Sequence, residues 1–200
     1  RLAHYSFVLL RWRRPEPALP VPPRARTAAQ SLRLRRIFDD THDLCWRLLR
    51  RFGVPPERVE DAVQQVFLIT AERLDDILPG SERAFVYGVA LGVSRTQARR
   101  RWREVLGDEP DLRGATQPGA DALVDRKRLV ETCDRILDRL APELREIFVL
   151  HEIEGLSGAE IARLVAIPPG TVSSRLRRAR QLFRESVVAA TAAPTPTEVH

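Results

Sequence analysis

Ser157 followed three residues later by Glu160 constrains this chain more than any other feature, because the pair opens a segment, Leu156 to Arg180, that reads as two helices hinged by a tight turn. A serine hydroxyl and a glutamate carboxylate at this spacing each accept an orphan backbone N–H of a starting helix, which makes a capping box. The helix so begun carries Ile161, Ala162, Leu164 and Val165. Ile167 plugs the turn. Pro168-Pro169 then supplies the fixed φ with which a second helix can begin, since proline at the first helical position forgoes no hydrogen bond. That second helix is expected from about Pro169 to Ser186. Val172, Leu176, Ala179 and Phe183 recur at i, i+4, i+7 and i+11, a single buried stripe, whereas Ser173, Ser174, Arg177, Arg178 and Gln181 lie off it. A narrow apolar stripe and a broad cationic face suit a helix in the major groove, where serine and arginine reach base edges and phosphates. A solvated basic helix on some other bundle accounts for the arginines, but not for cap and hinge beside them.

The 200 residues carry a formal charge of +6 and are 44% apolar, which suits two small helical domains better than one large core. Lys127 is the only lysine, so the positive charge is almost wholly guanidinium, matched to phosphates and guanine edges. Nucleic acid is the partner class this balance favours. No apolar run approaches the ~20 residues that cross a bilayer, so no membrane-spanning segment is expected. Cys45 and Cys133 stand far apart at apolar helical positions, as the buried reduced thiols of a cytoplasmic protein do. His42 and Cys45 lie one helical turn apart, yet no further Cys or His follows at ligand spacing, and no metal is expected. His4, His151 and His200 are scattered, with no nucleophile and paired base and no glycine-rich phosphate loop. Neither catalysis, a cofactor nor a small-molecule substrate is expected.

Residues 1–30 read as a disordered Arg/Pro-rich extension. Its apolar stretch, Tyr5-Ser6-Phe7-Val8-Leu9-Leu10, is too short for a secretory signal, and no methionine defines the start. From about Ser31 the pattern turns helical, with Leu44, Cys45, Leu48, Leu49 and Phe52 forming a stripe that Gly53 stops. Pro55-Pro56 restarts a helix from Glu57 to about Leu74, which directs Val59, Ala62, Val63, Val66, Phe67 and Thr70 to a core. Leu68 and Ile69 widen its apolar arc beyond one face. Beside Asp61, Gln64 and Gln65, that surplus points to a second packing partner, either another protein or the rest of the same domain.

The loop Leu78-Pro79-Gly80-Ser81 leads to a third helix, Glu82 to about Arg103. Its first half is apolar (Phe85, Val86, Val89, Ala90, Val93). Its second half is basic: Arg95, Arg99 and Arg103 recur at i, i+4 and i+8 beside Arg100, Arg101 and Trp102, so that cations and a ring are offered together to a nucleic acid. A solvated helix terminus is the plainer account of such a charge run. Residues 105–124 have linker chemistry. Helical pattern resumes with Leu129, Cys133, Ile136, Leu137 and Leu140, breaks at Pro142, and continues through Leu144, Ile147, Phe148 and His151 to Gly155. A second domain of four helices, 125–188, thus ends in the helix-turn-helix, and the Ala/Thr/Pro tail 189–200 reads as disordered. The fold class expected is all-α, two small domains on a flexible linker.

These residues carry a resemblance. Val59-Glu60-Asp61-Ala62-Val63-Gln64-Gln65-Val66-Phe67-Leu68 resembles the core-polymerase-binding helix of region two of bacterial sigma factors. Leu140-Ala141-Pro142-Glu143-Leu144-Arg145-Glu146-Ile147-Phe148-Val149-Leu150, then Glu154-Gly155-Leu156-Ser157, Glu160-Ile161-Ala162, Gly170-Thr171-Val172-Ser173-Ser174-Arg175-Leu176 and Arg178-Ala179-Arg180 resemble region four. With only these two regions, over about residues 35 to 188, the chain resembles an extracytoplasmic-function (ECF) sigma factor.

The resemblance implies a factor that directs core RNA polymerase to promoter DNA for transcription initiation, with 31–104 as region two and 125–188 as region four. Asp61, Gln64, Gln65 and Leu68 would dock the polymerase. The loop Ile77 to Arg83 and the following helix, with Arg83, Phe85, Tyr87, Arg95, Arg99 and Arg103, would hold the unpaired downstream element. Thr171, Ser173, Ser174, Arg175, Arg177 and Arg178 would read the upstream element as duplex. An anti-sigma factor is a partner the resemblance admits. Four positions depart from the family pattern: Phe85, beside Tyr87, where the family has Trp beside Tyr, Leu91 and Gly92 for an arginine-asparagine pair, and Ser173 for a lysine. Gly88 and Gly92 each lower helix propensity by about 1 kcal/mol against alanine. A linker of some twenty residues reaches about 65 Å at ~3.3 Å per residue, enough for two elements ~50 Å apart on duplex at ~34 Å per turn. The competing reading is an ordinary helix-turn-helix regulator whose N-terminal helices form a dimerisation or sensor domain.

Overall fold

The computed structural model describes residues 26–105 and 131–192. Most of the expected extension, the linker and the end of the tail lie outside the described residues. Among the described residues the regular structure is helical, without strands.

Helix α1, Ala28–Arg51, begins before the expected Ser31 because Thr27 and Gln30 make a capping box of their own: Gln30 N–H donates to Thr27 Oγ1 at 3.2 Å and Thr27 N–H to Gln30 Oε1 at 3.0 Å. The Gln30 side-chain amide then donates to Asp75 Oδ1 at 2.9 Å, which ties this end to a 3-10 turn, Leu74–Asp76. Phe52 caps the other end, and Gly53 at φ +91° turns the chain toward α2, Pro56–Glu72. Leu44, Cys45, Leu48, Leu49 and Phe52 are all buried, as are Val59, Ala62, Val63, Val66 and Thr70 facing them. Each aliphatic side chain sealed here contributes roughly 1.5–3 kcal/mol.

Between α2 and α3, Glu82–Val105, the Arg33 guanidinium holds the loop by donating to Leu74 O at 3.2 Å, Ile77 O at 2.5 Å and Glu82 Oε1 at 3.2 Å. The first half of α3 is buried nearly all round, including Tyr87, Leu91 and Ser94 as well as the expected apolar positions.

In the C-terminal unit, α4 covers 131–138 and α5 is Pro142–Phe148. The chain continues from α5 as a π-helical turn, Val149–Ile153, with Glu154 N–H donating to Val149 O at 3.1 Å and Leu156 N–H to Leu150 O at 2.9 Å. Buried Arg145 closes the end of α4, donating from Nη2 to Asp138 O at 2.6 Å and Leu140 O at 3.3 Å. Burial lowers the pKa of that guanidinium, and nearby Asp138 counters the fall. Helix α6, Gly158–Val165, is followed by Ala166 in the left-handed conformation (φ 58°, ψ 46°) and by α7, Pro169–Ala192. The last helix outruns both the expected Ser186 and the expected start of the tail at 189, since Val187 to Ala192 contains no glycine or proline and Pro194 is the first breaker. Phe148 and Phe183 stack at 4.7 Å between α5 and α7. The buried apolar residues of both units form one continuous cluster.

Candidate nucleic-acid interface

On α7, Val172, Leu176 and Ala179 are buried, which turns Ser173, Ser174, Arg177 and Arg178 to solvent with Thr171 and Arg175 half-exposed beside them. This arrangement is the helix-turn-helix geometry expected. The capping box at its start is formed in full: Ser157 N–H donates to Glu160 Oε2 at 2.8 Å and Glu160 N–H to Ser157 Oγ at 3.3 Å. Those bonds to Ser157 hold the Glu160 carboxyl below its ordinary pKa. Ser173 Oγ donates to Pro169 O at 3.1 Å and Ser174 Oγ to Thr171 O at 3.0 Å, so both hydroxyls direct acceptor lone pairs outward. Arg178 donates to Gln181 Oε1 at 3.1 Å. Arg180, on another side of the helix, pairs with Glu152 at 2.6 Å.

On α2, Asp61, Gln64, Gln65 and Leu68 are all exposed, Leu68 to 57%. Ile69 turns partly inward against the core. The surplus apolar arc is therefore carried by Leu68. The adjoining face of α1 adds residues that sequence reading passed over: Phe38 lies 4.9 Å from the His42 ring and 4.7 Å from Phe67, and Trp46 Nε1 donates to Glu60 Oε1 at 2.9 Å. The signal was present, since Phe38, His42 and Trp46 recur at i, i+4 and i+8 along one flank of the buried stripe.

The α3 residues are placed differently. Phe85 and Tyr87 are each only 6% exposed. The Arg73 guanidinium lies over the Phe85 ring, 5.5 Å from its centroid. Tyr87 O–H donates to Glu154 Oε2 at 2.9 Å, and Arg83 Nη2 donates to the Tyr87 oxygen at 3.2 Å. Burial, then the Glu154 contact, pushes the Tyr87 pKa up. Arg51 reaches the other oxygen of Glu154 at 3.4 Å. Arg95 grips Glu146 in two parallel bonds of 2.9 and 2.6 Å. Arg99 is exposed, while the Arg103 side chain lies outside the described residues. Leu91 and Gly92 are buried. A groove of ≈ 1060 Å³ separates this part of α3 from α6.

Cys45 is sealed in the core, where burial raises its pKa to about 12, and Cys133 is partly buried; both thiols are unpaired. No group of three or more metal-ligating side chains occurs among the described residues, and no described helix is long and apolar enough to cross a membrane.

Residues 132–183 match the family described as sigma-70, region 4. The chain is 31% identical over 146 residues to the ECF RNA polymerase sigma factor SigE of Mycolicibacterium smegmatis, an alignment that takes in 72% of this chain and 57% of SigE. It therefore spans little more than half of that relative's length. It is 32% identical over 141 residues to the RNA polymerase sigma factor CnrH of Cupriavidus metallidurans, covering 66% of this chain and 74% of CnrH. Among solved structures, RpoE of Bartonella quintana in complex with the anti-sigma factor NepR matches with a TM-score of 0.65 at 22% identity, over 78% of this chain and 97% of that one. CnrH in complex with the cytosolic domain of CnrY matches with a TM-score of 0.56 at 23% identity, over 82% and 91%.

Proposed function

Because the chain belongs to the ECF-type RNA polymerase sigma factors, we propose that its two exposed faces divide the work of promoter recognition. The observation that carries this reading is the α7 face, where serine hydroxyls and the guanidinium groups of Arg175, Arg177 and Arg178 stand off the buried residues Val172, Leu176 and Ala179, with Phe183 of the same stripe half-buried. Inserted in a major groove, such a face reads base edges and phosphates together. The face of α2 with Asp61, Gln64, Gln65 and Leu68 docks core polymerase, its apolar centre and polar rim having the make-up of a protein interface. Helix α3 supplies Arg83, Phe85, Tyr87, Arg95, Arg99 and Arg103 to the unpaired downstream strand. The chain itself is not an enzyme: it positions polymerase, which performs the chemistry, and acts in the cytoplasm where the genome is. An anti-sigma factor, such as the solved relative RpoE binds, belongs to the same reading.

The test is run-off transcription with purified core polymerase on fragments of the host genome, beside a pull-down of core by the full chain. Wild type should initiate at discrete positions. Asp61→Lys combined with Leu68→Arg should abolish the pull-down with helicity unchanged. Retention of core by that folded variant removes the α2 assignment, and failure of wild type to bind core returns the chain to the class of helix-turn-helix regulators.

A further inference from the structure

Trp102 is 69% exposed, more than any other aromatic side chain among the described residues. A lone exposed ring is ordinary on a protein surface, but this one closes a run of three exposed arginines, Arg99, Arg100 and Arg101. We propose that the Trp102 ring stacks on an unpaired DNA base while the guanidinium groups beside it hold the neighbouring phosphates, which makes the far end of α3 a stacking site for the melted strand. The proposal deepens the role of α3 given above and rests on it.

Local sequence leaves the ring open. In a helix a long side chain leans over the turn before its own. One turn before Trp102 stand Ala98, which offers only a methyl group, and Arg99, both exposed. Arg95, Arg99 and Trp102 recur at i, i+4 and i+7, so two cations and the ring share one face. The other aromatic side chains of α3 are closed in: Phe85 and Tyr87 are buried, and Phe85 has the Arg73 guanidinium of its own unit over its ring. Trp102 lies about 25 Å beyond Phe85 along the axis at ~1.5 Å per residue, and so meets a different base.

Chemistry narrows the ligand. Paired and stacked bases turn only their edges to the grooves, whereas an unpaired base shows a π-face on which indole stacks whatever the sequence. Guanidinium groups beside the ring are matched to the phosphates that flank such a base. Closed duplex engages the arginines alone. Ring and cations together therefore select a melted strand.

The experiment titrates the full chain, without polymerase, into a fluorescein-labelled DNA single strand of roughly 12 nucleotides. A second probe keeps the sugar-phosphate backbone and lacks the bases. Trp102→Ala should weaken binding to the first probe by at least about fivefold, the low end of base-aromatic stacking, and to the second by less than about twofold. Trp102→Leu, which keeps apolar bulk and drops the π-face, should behave as the alanine variant does, whereas Trp102→Phe should restore most of the affinity. Salt separates ring from charge: Arg99→Gln should flatten the slope of log K against log[salt] by about 0.7, and Trp102→Ala should leave that slope alone. Equal losses on the two probes overturn the stacking, as do a leucine variant that matches wild type and a wild type that ignores the base-bearing strand. The ring is exposed, so helicity should survive its removal; if the alanine variant unfolds, the contrast between phenylalanine and leucine decides. Run-off transcription by wild type tests the sigma reading separately. Discrete initiation beside any of those failures leaves the sigma reading standing, while ring-dependent binding without initiation keeps the stacking site and removes the sigma reading.

Discussion

The guanidinium of Arg145 fills the space in which a side chain on Gly53 would begin. A Cβ at Gly53 would overlap Nη1 and lie 3.2 Å from Cζ, and the guanidinium cannot simply swing aside while it closes the end of α4 through Asp138 and Leu140. Glycine is thus required twice at this turn, for its φ of +91° and for its missing side chain.

Gly53→Ala should accordingly destabilise the chain by about 1–2 kcal/mol from the left-handed backbone alone, with a further loss from displacing Arg145. Thermal melting should fall by about 2–4 °C for each kcal/mol. A melting temperature equal to wild type would contradict both requirements.

Ala166 sits in the left-handed region with no compensating glycine freedom. Ala166→Gly removes a conformational cost of about 1–2 kcal/mol and adds back part of it as unfolded-chain entropy, for a net gain of about 0.5–1 kcal/mol. Urea titration should show a higher midpoint at the same slope. The α7 face is untouched, so promoter preference should stay as it is.

The cap of α6 is sensitive to acid. Glu160 has a folded-state pKa below its ordinary 4.5, so its contribution is present above about that pH and is lost as the pH falls through the lower folded value. Glu160→Gln should be less stable than wild type at pH 7, and the gap should narrow steadily below pH 4.5. Denaturation midpoints of the two proteins across the acid range check this; a gap that widens with acid would reverse the sign.

Arg175 and Arg178 test the reading of the upstream element. Replacement of either by alanine should cost about 1–3 kcal/mol if it makes a bidentate base contact, and should relax preference at one base pair only. Binding selection from a randomised duplex library measures both effects. Unaltered selection in both variants would move the reading role elsewhere on α7.

What could be read from the chain beforehand follows the range of the forces involved. Ser157 and Glu160, three residues apart, declare a helix start wherever they occur, and the stripe Val172, Leu176, Ala179 declares which side of α7 is buried. Thr27 and Gln30 obey the same capping rule, but the arginines and prolines before them masked the signal. Ala166 offers no sign of its left-handed turn, because glycine or asparagine is the usual marker there. The pairs that join the units span 51, 67 and 103 residues. No local periodicity reaches that far, so Arg95 and Tyr87 were legible as polar groups able to meet DNA, and their occupation by Glu146 and Glu154 was not. The exposed row Asp61, Gln64, Gln65 and Leu68 could be anticipated because it lies within three turns of one helix.

The π-helical turn at Val149–Ile153 bears on how relatives of this chain should align. An α-helix advances about 100° per residue and a π-helical turn about 80°. Over the eight steps from Glu146 to Glu154, an unbroken α-helix would sweep roughly 800° and leave the two carboxylates about 80° apart around the axis. With five steps in π geometry the sweep shrinks to about 700°, close to two whole turns, and both face the same way. The turn is in effect one inserted residue whose angular consequence has been absorbed locally. Deleting a single codon within 149–153 would restore plain α-helix and keep both carboxylates on that side, whereas inserting one more would swing Glu154 away by about 100°. Lineages that retain both acids should therefore differ here by a one-residue gap and not by a one-residue gain.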